Sequence, residues 1–290
     1  MYARSSDARI EWGEVVEATF SIDQRFRYDY PGPIADLQHR LMVVPREFHG
    51  DQRRISSRLA VAPNAAVHEA LDRFGNPVAS VFARRIERHI EFDHRSLVTR
   101  TLGEHHVPAA MLKDEALLQP TALTACDATL RDAAKGLRAQ HAQPLLLANA
   151  INAYVHANMH YLAATTVETS AVEAFSLRAG VCQDYAHIAL ALARRCGLAA
   201  RYVSGHLLGE GGTHAWIEIL VPDGVGDGVG ARVLAYDPTH GSLVDLRYVI
   251  VAVGRDYADV APTSGVFTAP YNGELTATKA VTVTHVRYTN

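Results

Sequence analysis

Residues 180–187 read Gly-Val-Cys-Gln-Asp-Tyr-Ala-His and run on into IALALARRCG at 188–197. The second part is made of strong helix formers, so the pattern predicts a helix from Cys182 to Arg195, opened after Gly180 and stopped by Gly197 in the left-handed conformation. Arg194 and Arg195 fall in its last turn, where cations suit the negative end of the helix dipole. Cys182 falls in its first turn, where unpaired backbone N–H groups and the positive end of the dipole favour a thiolate over a thiol. Cores also accept cysteine readily as a small hydrophobe. Position alone therefore leaves Cys182 open between a structural residue and a nucleophile, and a nucleophile requires a histidine and an orienting acid.

Both lie downstream. Ala200–Leu208 (ARYVSGHLL) reads as a strand and Gly209–Gly212 as a turn. His214–Val221 (HAWIEILV) and Val233–Asp237 (VLAYD, closed by Pro238) read as two further strands around a glycine-rich connection at 222–230. Such a pair forms an antiparallel hairpin, with the start of the first strand beside the end of the second. The simplest register pairs Val221 with Gly230 and hence His214 with Asp237, on one face. The carboxylate can then fix the imidazole tautomer and stabilise its cation. Packing the helix start against this end of the sheet brings Cys182 to the other ring nitrogen. A cysteine at a helix start, a histidine at a strand start and an aspartate at the next strand's end are together more specific than any one of them.

The rest of the chain organises around this core. Strand-like runs at Val15–Tyr30, Leu37–Val44, Ile55–Val61, Val67–Phe74 and Val78–Phe92, with a hairpin connection at Gly75-Asn76-Pro77, predict an antiparallel β-domain over 1–110. Helical spacing begins after Gly103, with one helix in 123–142 and a second opened by Pro144. A catalytic core is expected over 111–270, with a terminal strand segment at 271–290. His156 and His160 stand four apart on a helix but lack the glutamate and third ligand of a zinc site. Asp184 and His187 sit about 200° and 140° round the helix from Cys182 and are expected to be structural.

The 290 residues are 48% hydrophobic and 20% charged, with a formal charge of −3 and a pI near 6.6. This balance suits a globular protein and carries no basic footprint for nucleic acid or an anionic membrane. Cys126, Cys182 and Cys196 are too few for a disulfide framework and none is paired at metal-ligand spacing. With neither a signal-peptide pattern nor an apolar run long enough to span a bilayer, a cytoplasmic location is expected. Oligomeric state is not legible.

Four stretches, GVCQDYAH at 180–187, ARYVSG at 200–205, THAW at 213–216 and YDPT at 236–239, resemble the core of the transglutaminase-like superfamily in its bacterial branch. The resemblance covers about residues 145–260. Asp72-Arg73-Phe74-Gly75-Asn76 is similar to that family's accessory β-domain, and Gly254-Arg255-Asp256-Tyr257-Ala258-Asp259-Val260 to its C-terminal signature. The resemblance implies a papain-like α+β fold in which the nucleophile helix packs on an antiparallel sheet. It implies Cys182 as nucleophile, His214 as base and acid, Asp237 as orienter, and no essential cofactor or metal. The backbone N–H of Cys182 is the expected oxyanion donor, with Gln183 second, and Trp216 either walls the substrate site or packs in the core. A peptide or protein substrate is expected, and a primary amine acceptor if the thioester is resolved by transfer. Bacterial members are often described as cysteine peptidases, which favours hydrolysis of a peptide or isopeptide bond. Amide-forming acyl transfer and an inactive peptide-binding module are the alternatives.

Overall fold

The computed structural model describes residues 10–223 and 230–289; the polar segment at 1–12 and the connection at 222–230 fall mostly outside them. The chain begins with β1 (Val15–Asp29), β2 (Ile34–Leu41), β3 (Phe48–His49), β4 (Gln52–Ala62), β5 (Ala66–Leu71), β6 (Pro77–Ile86) and β7 (His89–Thr101). It continues through β8 (His106–Pro108), α1 (Glu115–Leu118), α2 (Ala128–Gln140), α3 (Pro144–Asn158), β9 (His160–Tyr161), α4 (Ala171–Leu177), β10 (Ala179–Gly180) and α5 (Cys182–Arg195). It closes with β11 (Ala200–Leu207), β12 (His214–Pro222), β13 (Gly230–Asp237), β14 (Ser242–Leu243), β15 (Tyr248–Gly254), α6 (Tyr257–Val260), β16 (Thr263–Thr268) and β17 (Glu274–Tyr288). Among the described residues no helix is long and apolar enough to cross a membrane.

The architecture is α+β, as the sequence pattern implies. Two antiparallel sheets, ordered β17-β1-β7-β4-β3 and β16-β2-β6-β5, form the N-terminal sandwich. Strict alternation drives it: Phe20, Ile22, Gln24 and Phe26 of β1 and Ile90, Phe92, His94 and Val98 of β7 are all buried, every second residue. The run expected at 78–92 divides into β6 and β7, because the chain reverses at Glu87-Arg88. Both strands after the core return to this sandwich. β16, inside the 111–270 segment, pairs with β2, and β17 pairs with β1 along its whole length.

In the core, α5 packs on the sheet β14-β13-β12-β11-β15, which β8 extends at β13. Twelve of the fourteen α5 residues are buried, so this helix is surrounded, with α2, α3 and α4 on the sides away from the sheet. Ile188 and Leu190 have no exposure, and each such side chain contributes roughly 1.5–3 kcal/mol by leaving water. Gly197 ends the helix at φ +77°, with the Leu198 N–H returning to the Ala193 carbonyl at 2.9 Å. Arg194 does more than face the dipole: buried at 5% exposure, it donates to Thr124 Oγ1 and to the carbonyls of Leu117, Ala200 and Arg255.

Two buried side-chain amides fasten the sandwich to the core. Gln52 donates to the Ile250 carbonyl at 2.7 Å and accepts from the Ile250 N–H at 2.8 Å. Asn76 treats Val253 the same way, at 2.7 and 2.9 Å. Each amide mimics one residue of a neighbouring strand, so the otherwise open edge of β15 is satisfied by the accessory domain. The turn before Asn76 is built for this, since Asp72 accepts from the backbone of Phe74 and Asn76 and from the Asn76 amide.

The hairpin register differs from the simplest one. Val221 pairs with Arg232 and Ile217 with Tyr236, so the ladder is offset by two residues and His214 lies across from Gly205 of β11 rather than from Asp237. An even offset preserves which face a side chain occupies. His214 and Asp237 therefore remain on one side of the sheet, diagonal rather than directly opposed.

Candidate active site

Three element ends converge. Cys182 is the first residue of α5, His214 the first of β12 and Asp237 the last of β13. The helix start is set by Asp184, whose carboxylate accepts from the Val181 N–H at 2.7 Å and from Thr165 Oγ1 at 2.6 Å. His187 is buried and accepts from the Tyr257 N–H at 3.2 Å. Both are structural, as their angles round the helix suggest. Cys182 is half-buried, and its N–H, at the first helical position, has no partner within the helix.

His214 Nε2–H donates to Asp237 Oδ2 at 2.7 Å. Glu210 Oε2 stands 3.2 Å from the other ring nitrogen, Nδ1, and the Cys182 thiol lies close enough to act on the imidazole. Burial pulls the His214 pKa down, but the bond to Asp237 and the nearby Cys182 and Glu210 side chains outweigh it and push the value up to about 12. At neutral pH the ring therefore carries its proton.

Asp237 has no exposure. Its Oδ2 also accepts from His240 Nδ1–H at 2.7 Å and from the Tyr248 hydroxyl at 2.8 Å, while Oδ1 accepts from the N–H groups of Thr239 and His240. Burial raises the Asp237 pKa, and the bonds from His214, His240 and Tyr248 more than reverse that, holding it well below the usual carboxylate range. Burial, with the Asp237 charge beside it, keeps the Tyr248 phenol protonated as a donor.

The remaining expected residues are placed differently. The Gln183 amide donates to the carbonyl of Val167 at 3.2 Å, so it faces the 166–167 segment rather than an oxyanion beside Cys182. Trp216 is fully buried with Val203, Ile250 and Val253. Its ring stacks on His214 at 6.1 Å and meets Tyr248 edge-on at 5.3 Å. It supports the imidazole from behind, which is the packing role. Gly205 makes room for it: a Cβ there would collide with the indole and with the Val249 carbonyl.

Sequence reasoning left out Tyr248 and Glu210 and made no use of His240. A tyrosine opening β15 signals nothing until that strand is known to lie beside β11, and Glu210 is one acid in a glycine-rich turn. His240, three residues beyond Asp237, is the one whose spacing could have been read as a local bond to its carboxylate.

Among the described residues, two clusters have ligand atoms close enough for a metal ion, His214/Asp237/His240 and His49/His105/Glu218. The first is the hydrogen-bonded site itself. In the second, Glu218 is already bonded to His49 and Arg201, as a buried link between the sandwich and β12. A cavity of about 560 Å³ borders this second cluster, on the Trp216 side of the sheet, and none of Cys182, His214 and Asp237 lines it. Cys182, His214 and Asp237 meet instead where the starts of α5 and β12 and the end of β13 converge.

Comparison with known proteins bears on the same segments. Residues 131–226 match the transglutaminase-like superfamily and residues 20–99 the bacterial transglutaminase-like N-terminal region. The first match includes Cys182 and His214 and ends before Asp237. An uncharacterized protein of Mycobacterium leprae is 28% identical over 261 residues, covering 83% of this chain and 90% of its own. An uncharacterized protein of Mycobacterium tuberculosis is 43% identical over 113 residues, 35% of each chain. The crystal structure of a "putative cysteine protease" from Cytophaga hutchinsonii superposes with a TM-score of 0.75 at 22% identity, over 94% of this chain and 93% of that one.

Proposed function

Because the chain belongs to the transglutaminase-like superfamily and carries its bacterial N-terminal region, we propose that it is a thiol-dependent acyl-transfer enzyme that hydrolyses a peptide or isopeptide amide. The observation that carries this reading is the convergence of Cys182 and Asp237 on the His214 imidazole, whose Nε2–H donates to Asp237 at 2.7 Å. The Cys182 sulfur attacks the amide carbonyl. The oxyanion that develops lies toward the free N–H groups at the start of α5, where the helix dipole stabilises it. His214 gives its Nδ1 proton to the leaving amine, and the acyl group remains on sulfur as a thioester. A water then loses a proton to Nδ1 and attacks the thioester, returning Cys182 and the acid product. Asp237 keeps Nε2 protonated throughout, so that Nδ1 is the nitrogen that exchanges protons.

Hydrolysis is favoured over transfer by the exposure of the residues around Cys182. Cys182 is half-buried, Glu210 is 42% exposed and Tyr161, paired with Gly180 two residues before the thiol, is 64% exposed, so water has access to the thioester. The test is to load an activated acyl ester onto Cys182, titrate a primary amine and count acid and amide by mass spectrometry. Acid should dominate at millimolar amine. Dominant amide would move the assignment to a transferase.

A further inference from the structure

Glu210 is outside the nucleophile, base and orienter, yet it touches the base. It lies in the turn between β11 and β12, with Oε2 3.2 Å from His214 Nδ1 and Oε1 3.5 Å from His240 Nε2. The turn is fastened on both sides of it. Buried His206 donates from Nδ1 to the Gly212 carbonyl at 3.2 Å, and Lys279 Nζ donates to Thr213 Oγ1 at 2.7 Å. Glu210 is thereby held beside His214 with its side chain 42% exposed.

Nδ1 is the nitrogen past which a leaving or attacking group must move, within about 3–3.5 Å. The Glu210 carboxylate therefore borders the path of that group. Two carboxylates, buried Asp237 and partly exposed Glu210, stand against the rings of His214 and His240. Among the described residues, no lysine or arginine forms an ion pair with Glu210. Lys279, which anchors the same turn, is committed to Thr213 and to the face of Phe26 at 5.4 Å. With the buried Asp237 carboxylate set against the protonated His214 ring, the Glu210 charge is left over for a cation brought by another molecule.

We propose that Glu210 determines the charge preference of the site, its carboxylate beside His214 Nδ1 receiving an ammonium or guanidinium group of the molecule that enters or leaves there. This rests on Cys182 being the reactive thiol, and it adds a class of substrate: one with positive charge on the leaving or entering side of the reacting bond. Anionic groups at the same place are repelled by the same carboxylate.

The test needs no natural substrate. Methanethiosulfonate reagents with an ethylammonium or an ethylsulfonate tail form a mixed disulfide with the Cys182 sulfur and release methanesulfinate, and peptide mapping reads each rate on the full chain. Relative to the same ratio at a free small thiol, the ammonium-to-sulfonate rate ratio at Cys182 is expected to be about tenfold higher. It should fall to within about twofold of the small thiol in Glu210→Gln and be largely kept in Glu210→Asp. A wild-type ratio no higher than that of the free thiol, or an unchanged ratio in Glu210→Gln, overturns the proposal. The neutral methyl reagent keeps the two questions apart. If it modifies Cys182 more slowly than Cys126, the nucleophile assignment fails, while the charged pair still reports on Glu210.

Discussion

Replacing Asp237 by asparagine removes one charge and leaves the shape of the side chain, and the structure makes the consequence calculable. The carboxylate accepts five hydrogen bonds: from His214, His240 and Tyr248 at Oδ2, and from the N–H groups of Thr239 and His240 at Oδ1. An amide has only one accepting oxygen. If that oxygen faces His214, the NH2 faces two backbone N–H groups; if it is flipped, the NH2 faces Nε2–H and can hold the ring in the opposite tautomer. Either way buried donors meet donors. Removing one side of a buried, hydrogen-bonded charge pair costs about 3 kcal/mol or more, which corresponds to a fall in Tm of roughly 6–12 °C for a domain of this size. The catalytic loss is larger. The bond from Asp237 is the largest of the effects that raise the His214 pKa, and comparable aspartate-to-asparagine changes in triads lower turnover about 10⁴-fold. The assay is a thermal melt together with turnover of an activated acyl ester and alkylation of Cys182 by iodoacetamide across pH 5–9. Asp237→Asn should remain folded at 20 °C, melt lower and lose at least 10²-fold in turnover. A variant with wild-type turnover and a wild-type alkylation profile would refute the reasoning.

Iodoacetamide should label Cys182 first at neutral pH, because burial pushes the thiols of Cys126 and Cys196 up and each points at a backbone carbonyl; peptide mapping checks the order, and faster labelling of either would count against it. Asn76→Leu should cost roughly 2–4 kcal/mol by leaving the N–H and C=O of Val253 unpaired under the accessory domain, read as a lower urea midpoint; an unchanged midpoint would show the clamp is idle. Burial lowers the His206 pKa from 6.5 to about 4, so its contribution to stability is complete above pH 6.5 and is lost as pH falls toward 4, by up to about 3 kcal/mol. His206→Gln should therefore flatten the dependence of stability on pH between 6.5 and 4, and an unaltered slope would exclude His206 as a source. Gly205→Ala should destabilise the site severely, since the added methyl overlaps Trp216 and the Val249 carbonyl, and a melt within 2 °C of wild type would contradict the packing described.

The helix from Cys182 to Arg195 and the strands that follow are legible because their signals are local: helix formers, a glycine stop, and apolar strand runs broken by glycine. The hairpin register is not local. Counting outward from the glycine-rich connection misplaced it by two residues, since register depends on how β11 and β13 both pair with β12. The expectation that His214 and Asp237 share a face survives only because the error was even. β17 pairs with β1 across more than 240 positions of sequence, and Gln52 meets Ile250; neither pairing leaves a pattern that a window of neighbouring residues can show. The same holds for Tyr248 and Glu210, whose side chains enter the site through tertiary packing.

The central claim is that acyl transfer passes through a thioester on Cys182, and the most direct measurement is acid quenching during turnover of an activated acyl ester, followed by intact-mass and peptide mass spectrometry. One acyl group is predicted, on the peptide containing Cys182, absent from Cys182→Ala and, in the wild type, discharged to the free acid as the ester is consumed. Steady turnover by Cys182→Ala at the wild-type rate, or an acyl group carried on a different residue, would contradict the account.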